Sequence, residues 1–227
     1  MAYNIHTPSK RTLWALKYLL KPLLLFLLPI YLLIRGSVFL YQYYEWNTWI
    51  ALGLTYIISL FLCLYYTSFL YRKVLRRQYI SMREFKITFF IMTGLTLFYC
   101  GASLITLPIK NHKVSEIRKE YTSLHPFLRL GVRTLLWIDR DLLITDAERA
   151  PEDYRKMGLP SKKRSLHYTQ STGYVHAMDI RVSDRWWIRN RLVQLYFWTL
   201  GFNAVRHGGT GDHLHISLSL AERPEAW

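Results

Sequence analysis

The chain has 227 residues, 51% of them hydrophobic, and a formal charge of +15. These figures fit together only if apolar and charged residues are segregated, which excludes one evenly mixed soluble domain. They are segregated: of 15 acidic residues, only Glu45 and Glu84 precede residue 110.

Three apolar runs occupy the first half. The run over 13–34 is interrupted by Lys17, Lys21, Pro22 and Pro29, whereas 48–71 and 87–109 carry no charge. A span needs about 20 apolar residues, so the second and third runs read as transmembrane helices. The first spans if Lys17 and Lys21 snorkel to an interface, or if the span slides toward residues 41–44. No small-residue cleavage site follows a short apolar core, so this run reads as retained rather than as a signal peptide. The sequence thus predicts a membrane domain of about three helices over 1–110 and a second domain over 111–227.

The connections set the expected orientation. Lys10, Arg11, Lys17 and Lys21 open the chain, and the loop over 72–86 holds Arg72, Lys73, Arg76, Arg77, Arg83 and Lys86. The loop over 37–47 has no Lys or Arg and is rich in Tyr and Trp. The positive-inside rule puts the N-terminus and the 72–86 loop in the cytoplasm and everything after residue 110 outside. The basic loop then faces anionic lipid, and no nucleic-acid partner is expected. Gly94, Gly101, Ala102 and Ser103 form a small-residue stripe suited to a membrane-protein partner, to a second copy, or to the other two spans.

Both cysteines, Cys63 and Cys100, lie in the apolar runs, so the second domain has no disulfide and any metal there is held by His and carboxylate. Residues 113–123 and 126–137 read as a stalk and a first packing helix, and 142–145 as a short strand. The basic run Lys162-Lys163-Arg164 lies in a long loop and reads as a solvated face. A strand over 174–182 would put Val175, Ala177 and Asp179 on one face, with Tyr174, His176, Met178 and Ile180 on the other. A helix follows, capped by Ser183 or Asp184, carrying Trp186 through Trp198 and ended by Gly201. A strand over 202–206 leads through the Gly208-Gly209-Thr210-Gly211 turn to a last strand over 211–218. There His213, His215, Ser217 and Ser219 share one face, and Leu214, Ile216, Leu218 and Leu220 the other. The fold class is α+β with a small antiparallel sheet. A catalytic zinc site takes three protein ligands and an open position, and His167, Asp179 and His215 offer such a set beside Asp212 and His213.

Ser165-Leu166-His167, then Ala177-Met178-Asp179-Ile180-Arg181, then a helix and the 212–218 strand resemble the hedgehog-like zinc peptidases of peptidoglycan. These are D-alanyl-D-alanine carboxypeptidases, related endopeptidases and the penicillin-insensitive murein endopeptidase. The likeness covers about 142–220 and none of the membrane part. It implies His167, Asp179 and His215 as zinc ligands, and Asp212 or His213 as the group that moves protons. Ile144-Thr145-Asp146-Ala147-Glu148-Arg149 resembles the upstream segment whose Arg binds a substrate carboxylate, which assigns that role to Arg149. The implied substrate is a peptidoglycan peptide, and the implied place is a bacterial cytoplasmic membrane with the second domain periplasmic or extracellular.

The sequence departs from the family in three places. Eleven residues separate His167 from Asp179, a longer spacer than the family's; Gly173 stands further before Ala177; and Asp212 replaces a more usual Glu. Either the loop carries an insertion or His176 is the ligand. His167 is preferred, because on a strand His176 points away from Asp179. Thr210-Gly211-Asp212-His213-Leu214-His215 also resembles the lysostaphin-type zinc endopeptidases, but the upstream His-x3-Asp of that group is not met by His176 and Asp179. The reading from a different class is an inactive peptidoglycan-binding protein or a structural subunit of a membrane assembly; a fourth protein ligand, His176 or His207, would favour it.

Overall fold

The computed structural model describes residues 10–76, 79–113, 115–150, 152, 158, 165–209 and 211–219. The basic run Lys162-Lys163-Arg164, Thr210 and Leu220 lie outside the described residues.

Three long helices come first: α1 (Lys10–Tyr44), α2 (Thr48–Leu75) and α3 (Met82–Ile105). Asn47 caps α2 by accepting from the Trp49 backbone N–H, and Ser81 and Glu84 form a reciprocal capping box on α3. Among the described residues two helical segments are long and apolar enough to cross a membrane, Thr48–Val74 and Met82–Ile105. The run expected over 13–34 is instead one 35-residue helix that continues through Arg35 to Tyr44. α1 and α2 approach closely at small residues. A Cβ on Gly36 would stand 2.9 Å from Thr55 Cγ2, and the Ser37 and Thr55 hydroxyls meet at 2.6 Å. A Cβ at Gly94 or Gly101 would meet nothing within 4 Å, so these glycines serve no contact between the three helices.

The second domain is α+β. It contains α4 (Ser115–Glu120), α5 (Pro126–Leu135), β1 (Ile144–Asp146), β2 (Ala177–Arg181), α6 (Trp187–Thr199), β3 (Asn203–His207) and β4 (His213–Ser217). The strands form one antiparallel sheet in the order β1-β2-β4-β3. The expected cap of α6 is not made. Arg181 takes up both candidates, donating to Ser183 Oγ and Asp184 Oδ2, and Asp184 turns to φ 62°, so Trp186 takes the cap position before Trp187 and makes no side-chain cap. Gly201 ends α6 as expected, at φ +92°.

β2 is buried on both faces, since Ala177, Met178, Asp179 and Ile180 are all inaccessible. One side is the sheet core of Met178, Leu214 and Ile216 with Phe197 and Phe202. The same cluster continues into Leu33, Ile34 and Val38 of α1, so the buried core crosses residue 110. Polar contacts follow that seam. Tyr41 Oη meets His176 Nε2 at 3.0 Å, and Thr48 Oγ1 meets His125 Nε2 at 3.0 Å. Tyr99 Oη meets Thr134 Oγ1 at 2.6 Å, and Tyr121 donates to the Ser103 carbonyl. All four helix residues come from the end of α1, the start of α2 or the end of α3. The α+β domain therefore caps that end of the helices, opposite the 72–86 connection.

Candidate metal centre

The sheet register brings the site together. β2 and β4 pair so that Asp179 stands opposite His215, and period-two alternation puts both on the face away from Met178 and Ile216. His167 comes from the loop before β2, which is tied back where the His176 N–H donates to the Leu166 carbonyl at 2.9 Å. His167, Asp179 and His215 are all buried, and this trio could hold a metal ion.

Their donor atoms form a tight triangle. His167 Nε2 lies 3.2 Å from His215 Nδ1 and 3.3 Å from Asp179 Oδ1, and His215 Nδ1 lies 2.9 Å from Asp179 Oδ1. Four ligands about 2.0–2.1 Å from a tetrahedral zinc stand roughly 3.3 Å apart, so the trio fits such an ion with little movement. The protonation pattern agrees. His167 Nδ1 lies 2.7 Å from the Ala147 carbonyl, which can only accept, so the proton is on Nδ1 and the Nε2 lone pair faces the trio. His215 Nε2 is buried without a partner, so both polar contacts of this imidazole, to Asp179 and to His167, are made by Nδ1 on the trio side. Burial alone would raise the Asp179 carboxyl. The imidazoles of His167 and His215 outweigh it and hold Asp179 well below the usual carboxylate range. Burial pushes His215 below the ordinary histidine value, against the pull of Asp179.

Arg149 sits behind the trio. It donates to Asp179 Oδ2 at 2.6 Å and to Asp146 Oδ2 at 2.8 Å. Its guanidinium thus grips the carboxylate oxygen that the triangle does not use and turns Oδ1 inward. In this arrangement Arg149 holds Asp179 and Asp146, where the sequence expectation gave it a substrate carboxylate.

His213 stands at the accessible edge, its Nε2 3.7 Å from Asp179 Oδ2 and its side chain 30% exposed. The Gly211 carbonyl accepts from its Nδ1–H, which leaves Nε2 as the basic nitrogen facing the site. His207 stacks on it, with ring centroids 5.2 Å apart. Asp212 does not join this group. β3 and β4 pair Arg206 with Leu214, so Arg206 and Asp212 belong to the face away from His213 and His215, where Arg206 binds both carboxylate oxygens. That ion pair holds Asp212 below the usual carboxylate value. As a general base it is both engaged and on the wrong side of the strand.

His176, the alternative ligand, faces the helices. Its Nε2 meets Tyr41 and its Nδ1 the Tyr174 carbonyl, and burial lowers its pKa to about 4. His176 therefore lies outside the trio, and His167 is the histidine that stands beside Asp179 and His215.

Sequence reasoning missed three of these features: the Arg149–Asp179 contact, the Ala147 carbonyl behind His167, and the His207 stack. The first had a signal in the Asp146-x-x-Arg149 spacing just after a strand. The other two depend on a backbone carbonyl and on hairpin register, which leave no mark in residue types. Comparison of the chain with family models, with curated proteins and with solved structures found no match.

Proposed function

We propose that the chain is a membrane-anchored zinc metallopeptidase that hydrolyses amide bonds in the peptide stems or cross-links of peptidoglycan. Its α+β domain would lie on the outer side of a bacterial cytoplasmic membrane. The observation that carries the reading is the buried triangle of His167 Nε2, Asp179 Oδ1 and His215 Nδ1, with the partly exposed His213 beside it. The family resemblance in the order Ser-x-His, Ala-x-Asp and His-x-His supports it. So does the donor set, two imidazoles and one carboxylate without a thiol, which suits a catalytic rather than a structural zinc.

Bound zinc would supply Lewis acidity and a water acidic enough to ionise near neutral pH. The chain's own residues supply the rest. Ala147 fixes the His167 tautomer, Arg149 fixes the Asp179 rotamer, and β2–β4 pairing holds Asp179 beside His215. His213 Nε2 accepts the nucleophile's proton and returns it to the leaving amine.

The test is metal content and muropeptide digestion by the detergent-solubilised full chain, wild type against Asp179→Asn and His176→Gln. One equivalent of zinc and cleaved muropeptides are expected for wild type and His176→Gln, and neither for Asp179→Asn. A zinc-replete wild type that leaves muropeptides intact overturns the peptidase reading. That result would support the second reading, a wall-binding or structural subunit, which the engagement of both Arg149 and Asp212 by protein partners favours.

A further inference from the structure

Away from the metal centre, the segment after α3 and the end of α5 with the residues that follow it form an open pocket of about 260 Å³. Asn111 ties the two together, its side-chain amide donating to the Arg140 and Leu142 carbonyls at 2.8 Å each. Pro108, Lys110, Asn111, Arg133, Trp137 and Arg140 line the cavity. Three of these six are cations, and among the described residues no carboxylate pairs with them. The nearest acids in sequence face α6 instead: Asp139 holds Arg185 and Arg189, and Asp141 stands 3.6 Å from Arg189. Like charges around one cavity repel, so the site is stabilised by an anion.

Its depth relative to the helices identifies the anion's source. The Trp137 ring packs edge-on against Tyr99 at 5.2 Å, and Thr134 is bonded to the same tyrosine. Tyr99 precedes the end of α3 at Ile105 by six residues, about 9 Å at 1.5 Å per residue. The C-terminal end of α5 therefore lies alongside the last turns of α3 rather than above them. Ile105, Ile109, Trp137 and Ile138 are exposed around it, and only 11% of the apolar window of α3 is buried. An exposed Trp at this level belongs to the membrane–water interface, which sets the three cations at the height of lipid headgroups with an apolar wall beneath.

We propose that this cavity binds the phosphate of an anionic phospholipid, its acyl chains lying along the exposed face of α3. Arg133 and Arg140 offer planar donor pairs to the phosphate oxygens and Lys110 a point charge. A zwitterionic lipid brings its own ammonium to the three cations, so a net-negative headgroup is preferred. The proposal rests on α2 and α3 crossing a bilayer and is independent of the peptidase reading.

The test uses the full chain in a neutral detergent, titrated with phosphatidylglycerol, phosphatidylcholine or inorganic phosphate, with bound lipid read by native mass spectrometry. Phosphatidylglycerol binding roughly tenfold or more tighter than phosphatidylcholine is expected, with a loss of similar size in Arg133→Gln/Arg140→Gln. Inorganic phosphate at millimolar concentration leaves lipid binding unchanged. Should the double variant fail to fold, exposed Lys110→Glu carries the same expectation. Equal binding of the two lipids, or a folded variant that binds phosphatidylglycerol like wild type, overturns the proposal. Displacement of the lipid by inorganic phosphate makes the cavity a free-anion site and overturns the lipid assignment.

Discussion

Arg149 and Asp179 are 30 residues apart in sequence, yet one N–H···O contact of 2.6 Å decides which carboxylate oxygen faces the histidines. Outer-sphere partners of this kind change metal affinity by about 10–100-fold. Arg149→Gln is accordingly expected to weaken zinc binding by a factor in that range, measured by chelator competition, while its melting temperature in the metal-free state stays close to wild type. A lysine there restores charge without the fork and recovers only part of the affinity. The proposed proton-moving role divides in the same way. His213 presents a basic Nε2 to the site, whereas Asp212 is held by Arg206 on the other face. His213→Gln should lower kcat at least tenfold, and Asp212→Asn should leave kcat within about twofold, since an exposed ion pair contributes little. The reverse ranking in muropeptide digestion would return the base to Asp212.

The seam between α1, α2 and the α+β domain contains two buried histidines. Burial first, then His176 and Arg129, holds His125 well below the ordinary value; burial, partly offset by the Tyr174 carbonyl, lowers His176 to about 4. In the unfolded chain both titrate near 6.5. The folded state thus binds fewer protons between pH 6.5 and 4. Its full stability is present above about 6.5 and is lost as pH falls toward 4. His176 alone accounts for up to about 3 kcal/mol of that loss. Melting of the full chain with chelator present, from pH 7.5 down to 4.5, should show a falling midpoint, and His176→Gln should flatten the slope. Gly201 lies on the same seam. Its φ of +92° and the Arg35 guanidinium, 2.5 Å from where a Cβ would stand, predict that Gly201→Ala costs at least about 1 kcal/mol. The elements themselves were legible: period-two alternation marked β2 and β4, and long uncharged runs marked α2 and α3. The seam was not. Tyr41 and His176 are 135 residues apart, Thr48 and His125 are 77 apart, and no periodicity links them. The trio was readable because its residue types are scarce and ordered, whereas the engagement of Arg149 and Asp212 depends on strand register.

The long helices and the α+β domain form one body. Because the domain packs on the end of α1, the start of α2 and the end of α3, it shares a side with residues 45–47 and is remote from the 72–86 connection. In a background lacking Cys63 and Cys100, Asn47→Cys and Gly173→Cys should react together with a membrane-impermeant maleimide in intact cells, and Arg83→Cys only after lysis. Labelling of Arg83 alone would reverse the orientation, and a split between Asn47 and Gly173 would break the packing described above. The same packing bears on stability. Leu33, Ile34 and Val38 belong to the cluster that buries Phe127, Leu128 and Leu130, so excising residues 111–227 uncovers apolar surface and leaves His125 and His176 without Thr48 and Tyr41. Each buried side chain re-exposed costs about 1.5–3 kcal/mol, and a domain of this size has only about 5–15 kcal/mol of stability in all. The excised fragment should therefore melt well below the full chain and bind a hydrophobic dye at room temperature. A fragment that melts like the full chain would make the helices a mere tether; loss of its fold would make them the missing wall of the domain's core.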